Sequence, residues 1–141
     1  MSLDIDLKRE KWVSYYSDFT DPVKECDIVF SKNITHNLGL MAGEAGLYLA
    51  LWRPHRLTKG FDFDEYTYEK ECEFENSVEI RASFIIEYLE KGLSKLKENP
   101  EFFKVLNPSN GWGKYEGLVN FTEKYLEACI AYPDSIIEVS R

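Results

Sequence analysis

The chain opens on strict alternation, with Leu3, Ile5 and Leu7 interleaved with Asp4, Asp6 and Lys8. Successive side chains of a strand point to opposite faces, so this pattern predicts a half-buried strand with one wet face. A turn over Arg9, Glu10 and Lys11 would bring back a second strand over 12–16. Asp18, Asp21 and Pro22 supply turn chemistry. A third strand then follows over 26–30, where Cys26, Ile28 and Phe30 fall on one side.

From Asn33 the period changes. Turned at 100° per residue, Ile34, Leu38, Met41, Ala42, Ala45 and Leu49 share one sector, which predicts a core-facing helix over 35–50. Asn33 or Thr35 can accept from the free amides of its first turn, and Gly46 can take the left-handed conformation that ends a helix. Opposite the apolar sector, His36, Gly39 and Gly43 form a second stripe. Two helical glycines cost about 2 kcal/mol against alanine, so something approaches closely there, either another element of the fold or a ligand or partner chain. Pro54 closes the segment by holding Arg53 extended.

Between Phe61 and Phe74, aromatic residues alternate with acids, the pattern of a strand pair or extended flap. Helical periodicity returns over 77–98 with Ile80, Phe84, Tyr88 and Leu96, a face that Ile85, Leu89 and Leu93 widen, and Asn76 stands three residues before Glu79 as in a capping box. Pro100 suits the first turn of a short helix carrying Phe102, Phe103 and Leu106. Residues 107–113 form a loop rich in Asn, Pro and Gly. A last helix over 114–131 buries Leu118, Phe121, Tyr125 and Cys129 and stops before Pro133. Ile137 and Val139 suggest a final strand, with the N-terminal sheet as its partner. Strands first and helices afterwards make an α+β fold: a small antiparallel sheet of N-terminal strands plus a C-terminal strand, covered by about three helices.

At 141 residues the chain is the size of one domain, able to bury roughly 68% of its unfolded surface without disulfides or metal. No apolar run approaches the ~20 residues that span a bilayer, and the first residues lack the marks of a signal peptide, so a cytoplasmic protein away from membranes is expected. Cys26, Cys72 and Cys129 form no Cys-x-x-Cys pair, and two histidines cannot make a three-histidine zinc site. No metal or cofactor is expected. The net charge of −8 is concentrated: from Asp62 to Glu79 eight acidic residues face Lys70 alone. Non-specific binding to nucleic acid is thereby disfavoured. The strip is expected to be a peripheral, solvated face, with imitation of nucleic acid as the sharper alternative.

Several segments, namely Asn33-Ile34-Thr35-His36-Asn37-Leu38, Leu51-Trp52-Arg53-Pro54, Asn110-Gly111-Trp112-Gly113, Tyr115-Glu116 and Val139-Ser140-Arg141, make the chain resemble a family of small uncharacterised bacterial and phage proteins. The resemblance covers most of the chain and implies no reaction. Against its pattern, residues at about 58–76 read as an acidic insertion.

No Gly-x-Gly-x-x-Gly or phosphate-loop sequence is present. What remains is a set of polar and aromatic residues at element ends: Asn33, His36, Asn37, Trp52, Arg53, Arg56, Trp112, Tyr115 and Glu116. Such groups can converge on a concave site, although each also has an ordinary structural role open to it as cap, ion pair or rim packing. Two functions follow. In the first the chain is a binding protein, an accessory factor of a phage or mobile element that captures a small anionic ligand or a host protein. In the second it is a small hydrolase or transferase with His36 as general base and Arg53 stabilising charge. Either way, Arg53 and His36 are expected to share a pocket rimmed by the Trp112 loop, with Glu116 or Asp4 as possible partners of Arg53.

Overall fold

The computed structural model describes residues 2–13, 21–62, 64 and 66–141. Strand β1 (Ser2–Val13) pairs antiparallel with β2 (Val23–Thr35) on one side and with β3 (Ile136–Ser140) on the other. The strand order is β2-β1-β3. The α+β architecture is thus the one expected, with the C-terminal strand docked on the N-terminal sheet so that Asp4 faces Ser140 and Lys8 faces Ile136.

The number of strands differs from the expectation. No turn occurs at Arg9, Glu10 and Lys11, because β1 runs straight through them. Arg9 and Lys11 both reach Asp27 across the ladder at 3.2 and 3.0 Å, and Lys24 reaches Glu10 at 2.9 Å. Opposite charges facing one another across strands hold together a stretch whose polarity reads as a turn. The strand expected over 12–16 is the end of β1 as far as Val13, and its remainder, like turn residues 18–20, lies outside the described residues.

The helix expected over 35–50 is three shorter pieces. Thr35 Oγ1 accepts from the Asn37 amide at 3.3 Å and starts a 3-10 turn over His36–Leu38, which continues into α1 (Gly39–Glu44). Gly46 has φ 76°. Its amide donates to Gly43 O at 3.1 Å while Leu47 N–H donates to Ala42 O at 2.8 Å, the two bonds of a Schellman cap. α2 (Tyr48–Trp52) starts afresh and buries Ala50, Leu51 and Trp52, leaving Leu49 only half-buried. Ile34, Leu38, Met41, Ala42 and Ala45 are buried as their spacing predicts.

The long helix α4 (Ala82–Glu98) begins later than residue 77, and the capping-box spacing of Asn76 and Glu79 is not used. Residues 78–81 are needed elsewhere: Arg81 bridges to Ile136, and Ile137 N–H donates to Ile80 O at 2.8 Å. α5 (Pro100–Lys104) has its proline in the first turn, and α6 (Tyr115–Ala131) packs against α4 and β2. Gly92 lets α4 come close to the second helix, since a Cβ there would lie 2.3 Å from Leu47 Cδ2. One core joins Leu3, Ile5 and Leu7 of the sheet to Ile85 and Leu89 of α4 and Leu118, Phe121 and Tyr125 of α6. Among the described residues, no helix is long and apolar enough to cross a membrane.

Tyr125 stacks on Phe30 with ring centroids 5.7 Å apart, and its buried hydroxyl has no hydrogen-bond partner among the described residues. Burial drives the pKa of this phenol well above its ordinary value. An unsatisfied buried hydroxyl costs about 1–3 kcal/mol, so Tyr125→Phe should raise the urea midpoint, and a lower midpoint would show that the hydroxyl is satisfied after all.

The segment expected as a strand pair is helical from residue 68: α3 (Tyr68–Ser77) is capped by Thr67 Oγ1, which accepts from Lys70 N at 3.2 Å. The alternation misleads because the side chain this helix turns fully inward is a carboxylate, Glu71, so hydrophobicity carries no helical period. Phe63, counted in that alternation, lies outside the described residues.

Candidate functional site

After α2, a 3-10 turn over Pro54–Leu57 sets Arg53, His55 and Arg56 toward α3. All three converge on Glu71. Arg53 Nη1 donates to Glu71 Oε1 at 2.9 Å, Arg56 Nε donates to the same oxygen at 2.8 Å, and Arg56 Nη2 donates to Oε2 at 2.9 Å. His55 Nε2 lies 2.8 Å from Oε1. Glu71 is 3% exposed and His55 1%. The hydrogen bonds from Arg56 hold the Glu71 carboxyl well below the usual carboxylate range, outweighing a burial effect that acts to raise it, with His55 and Tyr66 adding to the lowering. An ionised Glu71 can only accept, so His55 carries its proton on Nε2.

One turn further along α3, Arg141 grips Glu75 with both arms, Nη1 to Oε1 and Nη2 to Oε2, each at 2.7 Å. Burial works to raise the Glu75 pKa, but the Arg141 fork overcomes it and the net direction is down. Arg141 Nη1 also donates to Trp52 O at 2.9 Å. The indole of Trp52 stacks on Tyr48, with centroids 5.3 Å apart and planes at 11°, and its Nε1–H donates to His36 Nδ1 at 2.8 Å.

That last bond decides what His36 can do. Indole N–H is a donor only, so Nδ1 must be the acceptor and the neutral ring carries its hydrogen on Nε2. With its one lone pair engaged, neutral His36 offers a donor to its surroundings, which is the opposite of what a general base needs.

The other residues singled out from sequence separate. Asn33 is exposed on β2 opposite Asp4, and Asn37 is exposed, contributing its backbone amide to the Thr35 cap. Tyr115 belongs to the core, where its hydroxyl donates to Leu96 O at 2.7 Å. Glu116 is exposed in the first turn of α6, where a negative charge suits the helix end. Arg53 finds its carboxylate in Glu71, in place of the expected Glu116 or Asp4. The Trp112 loop does adjoin the start of the first helical segment. Gly113 has φ 107°, and a Cβ on it would lie 2.7 Å from Thr35 Cγ2 and 3.0 Å from Leu38 Cγ, so only glycine fits. Trp112 itself is 70% exposed. Arg53, Arg56, Trp52 and His36 are therefore linked through Arg141 and Glu71, while Asn33, Tyr115 and Glu116 are not part of that arrangement.

Sequence reasoning missed His55, Glu71, Glu75 and Arg141. One signal was available: Glu71 and Glu75 stand at i, i+4 behind a Thr67 cap, a spacing that puts two carboxylates on one helix face opposite the basic residues at 53–56. The expectation that the acidic strip is a solvated periphery fails at Glu71, which the cations draw inside. Among the described residues no group of three or more His, Cys, Asp or Glu is placed to hold a metal ion. No known protein family, curated protein or solved structure matches this chain.

Proposed function

We propose that the chain is a binding protein rather than an enzyme, and that its partner is another protein engaged at the Trp112 loop. The observation that carries this is exposure: Trp112 is 70% exposed, Val105 83%, Leu40 68% and Phe102 48%. Trp112 stands on the loop, Val105 on the turn between α5 and the loop, Phe102 on α5, and Leu40 in α1 two residues beyond Leu38, over which Gly113 lies. Aromatic side chains held out from a fixed backbone are the usual anchors of protein interfaces, and exposed aliphatic side chains beside them enlarge the apolar patch. This loop is held: Asn107 Oδ1 accepts from Tyr115 N at 2.8 Å, and Asn110 Oδ1 from Trp112 N at 2.9 Å. Beside it a groove of about 280 Å³ is lined by Lys95, Glu98, Asn99, Phe102 and Phe103. Lys104 and Lys114 flank the loop beside Glu101 and Glu116, with Lys104 paired to Glu101 at 3.7 Å, so the surface suits a partner with an apolar socket and a rim of mixed charge.

The polar side chains that an enzyme would need are engaged with one another, His36 with Trp52 and Arg53 with Glu71. A role as an accessory factor of a phage or mobile element, with a host protein as the target, rests on the family resemblance alone. To test the reading, purified chain would be immobilised, the stoichiometric partner retained from host extract purified, and the complex titrated by calorimetry. Trp112→Ser and Val105→Ser should each weaken it at least about tenfold, the size of a modest interface hot spot, with unchanged melting temperatures. Undiminished binding by both variants, or turnover of an ester or phosphoester that depends on His36, would overturn it.

A further inference from the structure

Helix α3 is fastened in an unusual way. Its one fully buried side chain among the described residues is Glu71, and its other strong attachment is the Glu75 to Arg141 fork. Phe74 adds a half-buried contact, with its ring 5.7 Å from Phe61 and 6.5 Å from His55. Isolated helices as short as ten residues are marginal in water, so docking on the cations is what keeps this one in place. A buried charge network is also an inefficient source of stability, because desolvation offsets much of the attraction. Apolar side chains at positions 71 and 75 would fasten the helix at least as well.

The body side of the contact has the makings of a site in its own right. Three guanidinium groups, from Arg53, Arg56 and Arg141, surround one buried imidazole and face two carboxylates, so positive charge is in surplus. The arrangement is also incompletely satisfied. His55 Nδ1 is buried with no hydrogen-bond partner among the described residues, 3.9 Å from Glu75 Oε2. His55 and Glu75 line a cleft of about 460 Å³ that runs between the end of α3 and the outer edge of β3. The cleft reaches His55 and Glu75 and not the arginines, but those side chains are themselves 26%, 23% and 25% exposed, so a ligand can meet the cations from solvent.

We propose that Arg53, His55, Arg56 and Arg141 form a binding site for a diphosphate group, which Glu71 and Glu75 occupy in cis until the ligand displaces them and frees α3. The two carboxylates mark two anion positions on these cations, which the two phosphoryl groups of one ligand would take with the arginine side chains drawn in around them. Each phosphoryl oxygen can take a guanidinium fork as a carboxylate does, and the ligand carries more charge than the pair it replaces. A protonated phosphoryl oxygen can also donate to His55 Nδ1, which neither glutamate does. Release of α3 changes the face that the molecule shows, exposing Phe61 and Phe74.

Inorganic pyrophosphate, titrated into the full chain by calorimetry at low salt, tests this. Wild type should bind weakly. Glu75→Gln, which removes one cis competitor and leaves Glu71 to hold the helix, should bind at least about tenfold more tightly, and Arg56→Lys and Arg141→Lys at least about tenfold more weakly, since lysine cannot form the fork. Hydrogen exchange of wild type at saturating pyrophosphate should rise over 68–77 and stay unchanged in α4 and α6. Absence of binding by folded Glu75→Gln, affinity no tighter in that variant than in wild type, indifference to both arginine substitutions, or unchanged protection of 68–77 on binding would each overturn the proposal.

Discussion

Leu38→Ala should lower the free energy of unfolding by about 2–5 kcal/mol, the range for removing a fully buried leucine. Leu38 is 1% exposed and joins the core beside Met41 and Ala42. Above it lies Gly113, which has no side chain to move into the space and a backbone conformation that admits no larger residue. The cavity should therefore stay open, which places the loss toward the upper end. His36→Ala is the informative comparison. An imidazole facing only solvent would cost about 1 kcal/mol or less, but here the substitution leaves the Trp52 indole N–H without its acceptor, in a residue 3% exposed. A loss of about 1–3 kcal/mol is expected. Urea denaturation of the two variants checks the order, and a His36→Ala loss as large as that of Leu38→Ala would place the imidazole among the core residues.

Acid should loosen α3 before it unfolds the rest. Glu71 binds its proton less readily in the folded chain than in the unfolded one, so the docked state is favoured above the ordinary carboxyl pKa of 4.5 and loses that advantage progressively as pH falls below it. Glu75 shifts in the same direction and adds to the effect. Substituting Glu71 by alanine removes the acceptor of two guanidinium groups and an imidazole at once. Breaking a buried pair costs about 3–5 kcal/mol, but Arg53 and Arg56 are 26% and 23% exposed, so water takes up part of the deficit and about 2–3 kcal/mol is expected. Exchange protection over 68–77 measures both effects, and protection in that segment persisting unchanged to pH 3 would contradict them.

The elements that could be read from sequence are those whose inward positions are apolar. Leu3, Ile5 and Leu7 announce a strand, Leu118, Phe121, Tyr125 and Cys129 a helix, and Gly46 the end of another. Where charge does the work of packing, the code fails. Arg9, Glu10 and Lys11 look like a turn because nothing local reveals Asp27 and Lys24 across the ladder. Residues 68–77 look like anything but a docked helix because the side chain that holds them is Glu71. The candidate site divides in the same way: Arg53, Arg56, Trp52 and His36 stand out as chemistry, but their partners are 15 to 18 residues away for Glu71 and 16 for His36 and Trp52. The Arg141 link to Trp52 spans 89 residues. Such distances are set by tertiary structure and leave no periodic trace.

The middle position of β1 bears on how the protein is made. On a ribosome β1 and β2 can zip into a hairpin early, but Leu3, Ile5 and Leu7 then present an uncovered greasy strip until α4 and α6 have been translated. The third strand is later still, since Asp4 waits for Ser140. Contacts so distant in sequence are slow to form, and an unpaired strand edge invites association with other nascent chains in the interval. Expression yield should depend on chaperones that shield this strip, more than on the final stability of the fold.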